Sequence, residues 1–274
     1  MLKPKSNAIR VVEATPGKVT EVKKPVSKFI IQIVELWLGM NCRYVFTNME
    51  RWGKMTEKSY RNCFKKFFDW FEYNYAIVKQ HCGKEIIAVF DPSYIKKSGK
   101  QTYGIGMFWS GVRQKALKGL EIGCLAFVDV GAGTAMHGLT EQTPSPKSLK
   151  AEGKTWVTHY VSLLKKHLTD IKAITCYLAV DGYFMKKEFI APLQKEGLHI
   201  LTKARSDANL KYLFNGKQKP GRGRKKLYDG KINTSKIDKR RLPCCYADED
   251  MKVYAGKVHG VLLKQTVLGR IYLL

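Results

Sequence analysis

The sequence predicts an α/β protein: a mixed sheet flanked by helices, with a helical region before it and a basic, β-rich segment after it. Three observations predict this. Between Lys84 and Arg205, apolar runs and helically spaced stretches follow one another as three strands, a helix, a strand, a helix and a strand. Upstream of Lys84 the apolar residues recur at helical intervals. Downstream, residues 205–241 hold thirteen Lys/Arg against three Asp, around a Gly- and Pro-rich centre that no regular element accommodates. At 274 residues and 45% hydrophobic, the chain has the means to bury a sizeable core.

Taken in order, residues 1–26 are polar and contain prolines and lysines, which predicts a loose basic arm. Residues 27–83 form the helical region. Ser27 precedes an apolar segment ending at Leu38, with Gly39 just beyond, a cap-to-cap helix. In "MTEKSYRNCFKKFFDWFEYNY", Tyr60, Phe64, Phe67, Phe68 and Phe71 recur at helical spacing, with Thr56 as N-cap. Lys58, Arg61 and Lys65 fall on the opposite face, which reads either as a solvated face or as a phosphate-facing one.

Residues 84–205 carry the strands "EIIAVFD", "TYGIGMFWSG" and "EIGCLAFVDV", then the helical "TWVTHYVSLLKKHL". The strand in "AITCYLAVDGYF", the helix "MKKEFIAPLQKEG" with Pro192 inside it, and the strand "LHILTKAR" complete this part. Residues 206–274 form the basic β-rich region, ending in two strand-like runs, "MKVYAGKVHGVLLKQ" and "TVLGRIYLL".

Charge and cysteine usage narrow the function. Forty-nine Lys/Arg against 23 Asp/Glu give +26, which favours a polyanionic partner through counterion release, nucleic acid first. A membrane span is not predicted, because "FIIQIVELWL" is about half of the roughly 20 apolar residues needed and contains Glu35. The N-terminus has no signal-peptide pattern, and seven unevenly spaced cysteines predict reduced thiols without zinc spacing, so the expected location is the cytoplasm.

Two acids share a local pattern. Asp91 and Asp181 each close an apolar run, "IIAVFD" and "CYLAVD", and each precedes a turn former, Pro92 or Gly182. A lone strand-end Asp is ordinarily a turn cap. Two such carboxylates on neighbouring strands repel unless a cation lies between them, and Mg²⁺ accepts a few carboxylate oxygens while leaving room for water and phosphate. Asp129, in "AFVDVGAG", has the same pattern and no assigned role.

The blocks "FDPSYIKKSGKQTYG", "LAVDGYF" and "GRGRKKLYDG" resemble those of the DDE transposases of bacterial insertion sequences, in particular the family-four type with an RNase H-like core. The resemblance covers roughly Ile86 to the C-terminus. It implies that Asp91 and Asp181 are catalytic, metal-binding carboxylates for Mg²⁺ or Mn²⁺. It also implies that Lys96, Lys97 and Lys100 lie near DNA phosphates, with Arg222, Arg224, Lys225 and Lys226 as phosphate clamps. The implied partners are terminal inverted repeats and target DNA, with a homodimer acting on paired ends.

The family further implies a third carboxylate, a Glu on a helix after a β-rich insertion. Glu188, Glu196, Asp207, Asp229, Asp238, Asp248, Glu249 and Asp250 do not stand in such a motif. The expectation is therefore a core cut off before its last catalytic helix, which binds DNA with little or no strand cleavage in Mg²⁺. The rival readings are a non-catalytic DNA-binding protein derived from a transposase and an RNase H-like nuclease.

Overall fold

The structure, a computed structural model, describes residues 10–11, 14–15, 24–99, 101–205, 207–218, 220–221, 223–234 and 236–273. The chain divides into two units, Met1–Ser145 with Thr169–Cys176 and Pro146–Leu168 with Tyr177–Leu274. The division falls inside the 84–205 span. The expected arm at 1–26 lies mostly outside the described residues.

From Lys24 on, the first unit has the helices α1 (Lys24–Gly39), α2 (Phe46–Trp52), α3 (Glu57–Phe64) and α4 (Trp70–His81). Helix α1 starts before the expected Ser27, with Pro25 in its first turn, where a missing N–H costs nothing. The long aromatic segment is two helices rather than one. Thr56 caps α3 as expected, accepting from Ser59 N at 3.3 Å, but α3 ends at Phe64. Asp69 then starts α4, accepting from Glu72 N at 2.8 Å, and this second cap explains the break. Phe67, in the linker, is 88% exposed and not part of the core. Phe29, Ile30, Ile33, Met40, Met49, Tyr60 and Tyr73 form the helical core.

Four antiparallel strands follow, β1 (Ile86–Lys96), β2 (Gly106–Ser110), β3 (Lys115–Asp129) and β4 (Thr134–Gln142). Strand β3 is the axis. One edge pairs with the whole of β1, from Ile86↔Asp129 to Lys96↔Gly119, and the other pairs with β2 and then β4. Strand β4 was not expected, because "TAMHGLTEQ" has no clean alternation. A bulge at Gly138 sets its register, and a Cβ there would come within 2.9 Å of the Phe127 ring. Asn74 of α4 donates to the Gly138 carbonyl at 3.0 Å.

The second unit contains α5 (Pro146–Ala151), α6 (Trp156–Lys166), β5 (Tyr177–Val180), α8 (Lys187–Lys195) and β6 (His199–Thr202). Helix α7 (Leu168–Ile174) contains the boundary between the units. The expected helix at Trp156 is present, and Thr155 and Thr158 form a reciprocal cap at its start. Strands β5 and β6 are parallel and joined through α8, an α/β crossover. Tyr160, Leu164, Leu178, Phe184, Phe189 and Leu193 are buried. Pro192 sits inside α8.

The basic region forms a sheet of β7 (Leu210–Leu213), β8 (Tyr228–Lys231), β9 (Cys244–Ala247), β10 (Lys252–Gly260) and β11 (Gln265–Leu273), ordered β11-β10-β7-β8 with β9 on β10. Ile232, Leu242, Tyr254 and Val258 are its core. The chain is thus α/β, with both antiparallel and parallel pairings. The seven cysteines are free thiols. Among the described residues, no helix is long and apolar enough to cross a membrane.

Candidate active site and nucleic-acid interface

Asp91 does not end its strand. Strand β1 continues through Pro92 to Lys96, with Asp91 opposite Cys124 and Pro92 opposite Gly123. The turn reading of Asp-Pro fails because β3 offers a partner along all of β1, and a proline fits a strand where its missing N–H is not required by the ladder. Burial, however, changes at the acid. Phe90 is 0% exposed, whereas Asp91 is exposed and opens a half-strand that stays largely open to Lys96.

Asp91 shares a face of the sheet with Cys124 and Thr140, its partners along the row. Cys124 Sγ and Thr140 Oγ1 are 3.3 Å apart, and His137 Nε2 lies 3.2 Å from Thr140 Oγ1. The outer half of β1 is fastened by Tyr94, whose hydroxyl donates to the Lys118 carbonyl at 2.8 Å and whose ring covers Gly119. Lys96 and Lys97 are exposed at the strand end. Lys100 lies outside the described residues.

Asp181 directly follows β5 and caps a short 3₁₀ turn, Gly182–Phe184, accepting from Tyr183 N at 3.0 Å. Its carboxylate is exposed although Val180 before it is 8% exposed. Capping occupies one of several lone-pair positions, so it leaves a carboxylate able to bind further partners. Thr202, at the end of β6, donates to the Asp181 carbonyl at 2.8 Å and holds the turn against the parallel pair.

Basic groups surround this turn that the sequence did not single out. Lys186 Nζ lies 3.7 Å from the centre of the Tyr183 ring. Burial, and then the Arg205 charge, push the Lys186 ammonium down from its usual value, against the opposing pull of Glu188 and Asp181. Arg205 makes a two-point pair with Asp207, at 2.8 and 3.0 Å. The nearest sequence signal was the basic tail of "DGYFMKK", which periodicity alone assigns to the start of α8.

Asp129 has a structural role. It is buried at the end of β3 and accepts from Gly83 N at 2.6 Å and Ala132 N at 3.0 Å, fastening the entry to β1 to the β3–β4 turn. These backbone donors hold its carboxyl below the usual range. Burial, followed by the Asp129 charge, pushes the Cys82 thiol up.

The basic residues divide by what they touch. Lys58 and Lys65 are exposed, but Arg61 is hydrogen-bonded to Glu57, Nε to Oε1 at 2.8 Å, and lies over the Phe46 ring. Arg224 and Lys225 are exposed, and Arg222 lies outside the described residues. Lys226 pairs with Asp229 at 2.9 Å and lies over Phe214, while Gln218 bridges to its backbone.

Arg241, which the sequence did not single out, pairs with both Asp229 at 2.8 Å and Asp238 at 3.2 Å. It also donates to the Leu213 carbonyl at 3.3 Å, so its charge is absorbed by the fold of the basic sheet. Asp229 is held below the usual carboxylate range by the Lys226 hydrogen bond and then Arg241.

Among the described residues, no group of three or more His, Cys, Asp or Glu is placed to hold a metal ion. Asp91 and Asp181 belong to different units, and each supplies an exposed carboxylate in its own surroundings. Carboxylate oxygen is the donor type that Mg²⁺ and Mn²⁺ prefer. No protein family matches the sequence, and no curated protein matches it.

Proposed function

We propose that the chain is of the DDE transposase type of insertion sequences with an RNase H-like core, a class that acts on DNA phosphodiesters at transposon ends by hydrolysis and strand transfer, and that with two of the three family carboxylates identified it binds DNA with little or no strand cleavage of its own. The observation that carries this reading is the repeated placement of an exposed aspartate directly after the buried part of a strand. Phe90 leads to Asp91 and Val180 to Asp181, each within a block that resembles one of that family. The surrounding chemistry supports it: a net charge of +26 suits a polyanion, and exposed lysines follow the first acid.

In this reading Asp91 and Asp181 would each supply a carboxylate to Mg²⁺ or Mn²⁺. When bound, such a metal makes the attacking oxygen a better nucleophile and stabilises the leaving one. The chain's own residues bind and orient the DNA. Lys96 and Lys97 neutralise phosphates beside Asp91, Lys58 and Lys65 do so on the helical region, and Arg224 and Lys225 on the basic sheet. Lys186 keeps positive charge near Asp181, whereas Arg205 is paired with Asp207. Terminal repeats and target DNA are the partners, with two copies acting on paired ends in the cytoplasm of a bacterial cell.

The test separates metal binding from DNA binding. Mn²⁺ titration followed by electron paramagnetic resonance should show affinity falling about tenfold or more for Asp91→Asn and for Asp181→Asn, as expected when a metal loses a carboxylate ligand. Duplex DNA binding in EDTA should be retained in both variants. Mn²⁺ affinity equal to wild type in both would refute the assignment.

A further inference from the structure

The β2–β3 hairpin presents a surface that the reading above does not use. The last β1–β3 pair is Lys96↔Gly119, and Gly119 also pairs with Gly106, so the rest of β2, the turn and the start of β3 extend beyond β1. One face of β2 is covered, with Phe108 and Ser110 buried. The opposite face carries Met107, 53% exposed, and Trp109, 57% exposed, and Val112 in the turn is 93% exposed. Their cross-strand neighbours are Lys118 and Ala116, and a single methyl group cannot cover an indole.

The same hairpin is basic. Residues 106–120 contain Arg113, Lys115 and Lys118 and no acid. All three are exposed, and among the described residues none is in a salt bridge. This charge selects the occupant. A second copy docked here through the same hairpin would set Arg113, Lys115 and Lys118 against their own counterparts, with no acid in the hairpin to offset them. Three apolar side chains also fall short of the broad apolar face that an interfacial membrane anchor buries. An exposed indole next to unpaired cations is the combination that stacks on an unpaired base and follows the backbone on either side.

We propose that the β2–β3 hairpin binds locally unpaired DNA, with Trp109 stacked on an unpaired base and Arg113, Lys115 and Lys118 against the flanking phosphates. Met107, two residues along the same face, widens the platform. The inference rests on the preceding reading only for the class of partner, DNA. It needs neither Asp91 nor Asp181.

The experiment is fluorescence anisotropy in EDTA, with a single strand, a duplex containing an unpaired bulge and a fully paired duplex as probes. Trp109→Ala should weaken binding to the first two about tenfold, within the range of one lost base–aromatic stack, and change the paired duplex less than about twofold. Trp109→Phe should retain most of the affinity, which shows that an aromatic face and not the fold is being read. Replacing Arg113, Lys115 and Lys118 together by Ala should lower the single-strand salt slope by roughly two, at about 0.7 per phosphate contact.

Equal losses on paired and unpaired probes, or no loss at all, would overturn the proposal. So would binding to phosphatidylserine vesicles that depends on Trp109 while DNA affinity does not. Because no metal is present, failure here leaves the Mn²⁺ test standing, and failure of the Mn²⁺ test leaves this one standing.

Discussion

Gly119→Ala tests the lock that fixes the outer half of β1, the half that opens at Asp91. Gly119 faces Lys96 on β1 and Gly106 on β2, and the Tyr94 ring lies across it. A Cβ there would stand 2.5 Å from both the Tyr94 ring and the Ile95 carbonyl oxygen. The ring can swing away, at the cost of its hydrogen bond to the Lys118 carbonyl. The carbonyl belongs to the ladder, and it can move only if β1 moves relative to β3.

Overpacking of this kind costs about 1–3 kcal/mol. For a domain the size of the first unit that lowers the melting temperature by roughly 2–4 °C per kcal/mol, so a fall of about 2–12 °C is expected. The measurement is thermal unfolding by circular dichroism, repeated in a Tyr94→Ala background. Removing the ring should leave most of the Gly119→Ala effect in place, because the carbonyl remains. A melting temperature within a degree of wild type, or complete rescue by Tyr94→Ala, would refute the backbone argument.

Phe90→Ala, at a fully buried position next to Asp91, should cost about 3–5 kcal/mol in chemical denaturation. Asp129 has its carboxyl depressed in the folded state, so its contribution to stability is present above the usual value of 3.8 and is lost as pH falls through the lower folded value. Asp129→Asn should therefore melt lower than wild type near neutrality and lose less on acidification below about pH 4; parallel curves would count against it. For DNA, Arg224→Ala and Lys225→Ala should each reduce the duplex salt slope by about 0.9, whereas Lys226→Ala, already paired with Asp229, should reduce it less and lower thermal stability instead.

Much of the framework was legible in local sequence. The buried part of β1, the capped start of α3, the helix α6, the helix holding Pro192 and the two final strands β10 and β11 follow from periodicity and cap chemistry that a short window contains. The acids were also legible as candidates, because an apolar run that ends in a carboxylate is visible as text. Their surroundings were not. Asp129 and Asp181 read alike in sequence, yet one is buried among backbone donors and the other is exposed on a turn.

The sequence by itself determined the charge, the composition of each segment and the location of the strongest strands and helices. Tertiary structure alone decided that β1 runs through Asp91 and Pro92 and that "TAMHGLTEQ" becomes β4. It also decided that Arg241 pairs with Asp229, twelve residues away, and that Trp109 is left uncovered. The physical reason is common to the strands and the charges: a ladder partner, a neutralising acid or a covering side chain comes from residues distant in sequence. Local propensity sets what a segment can do, and the partner that arrives sets what it does.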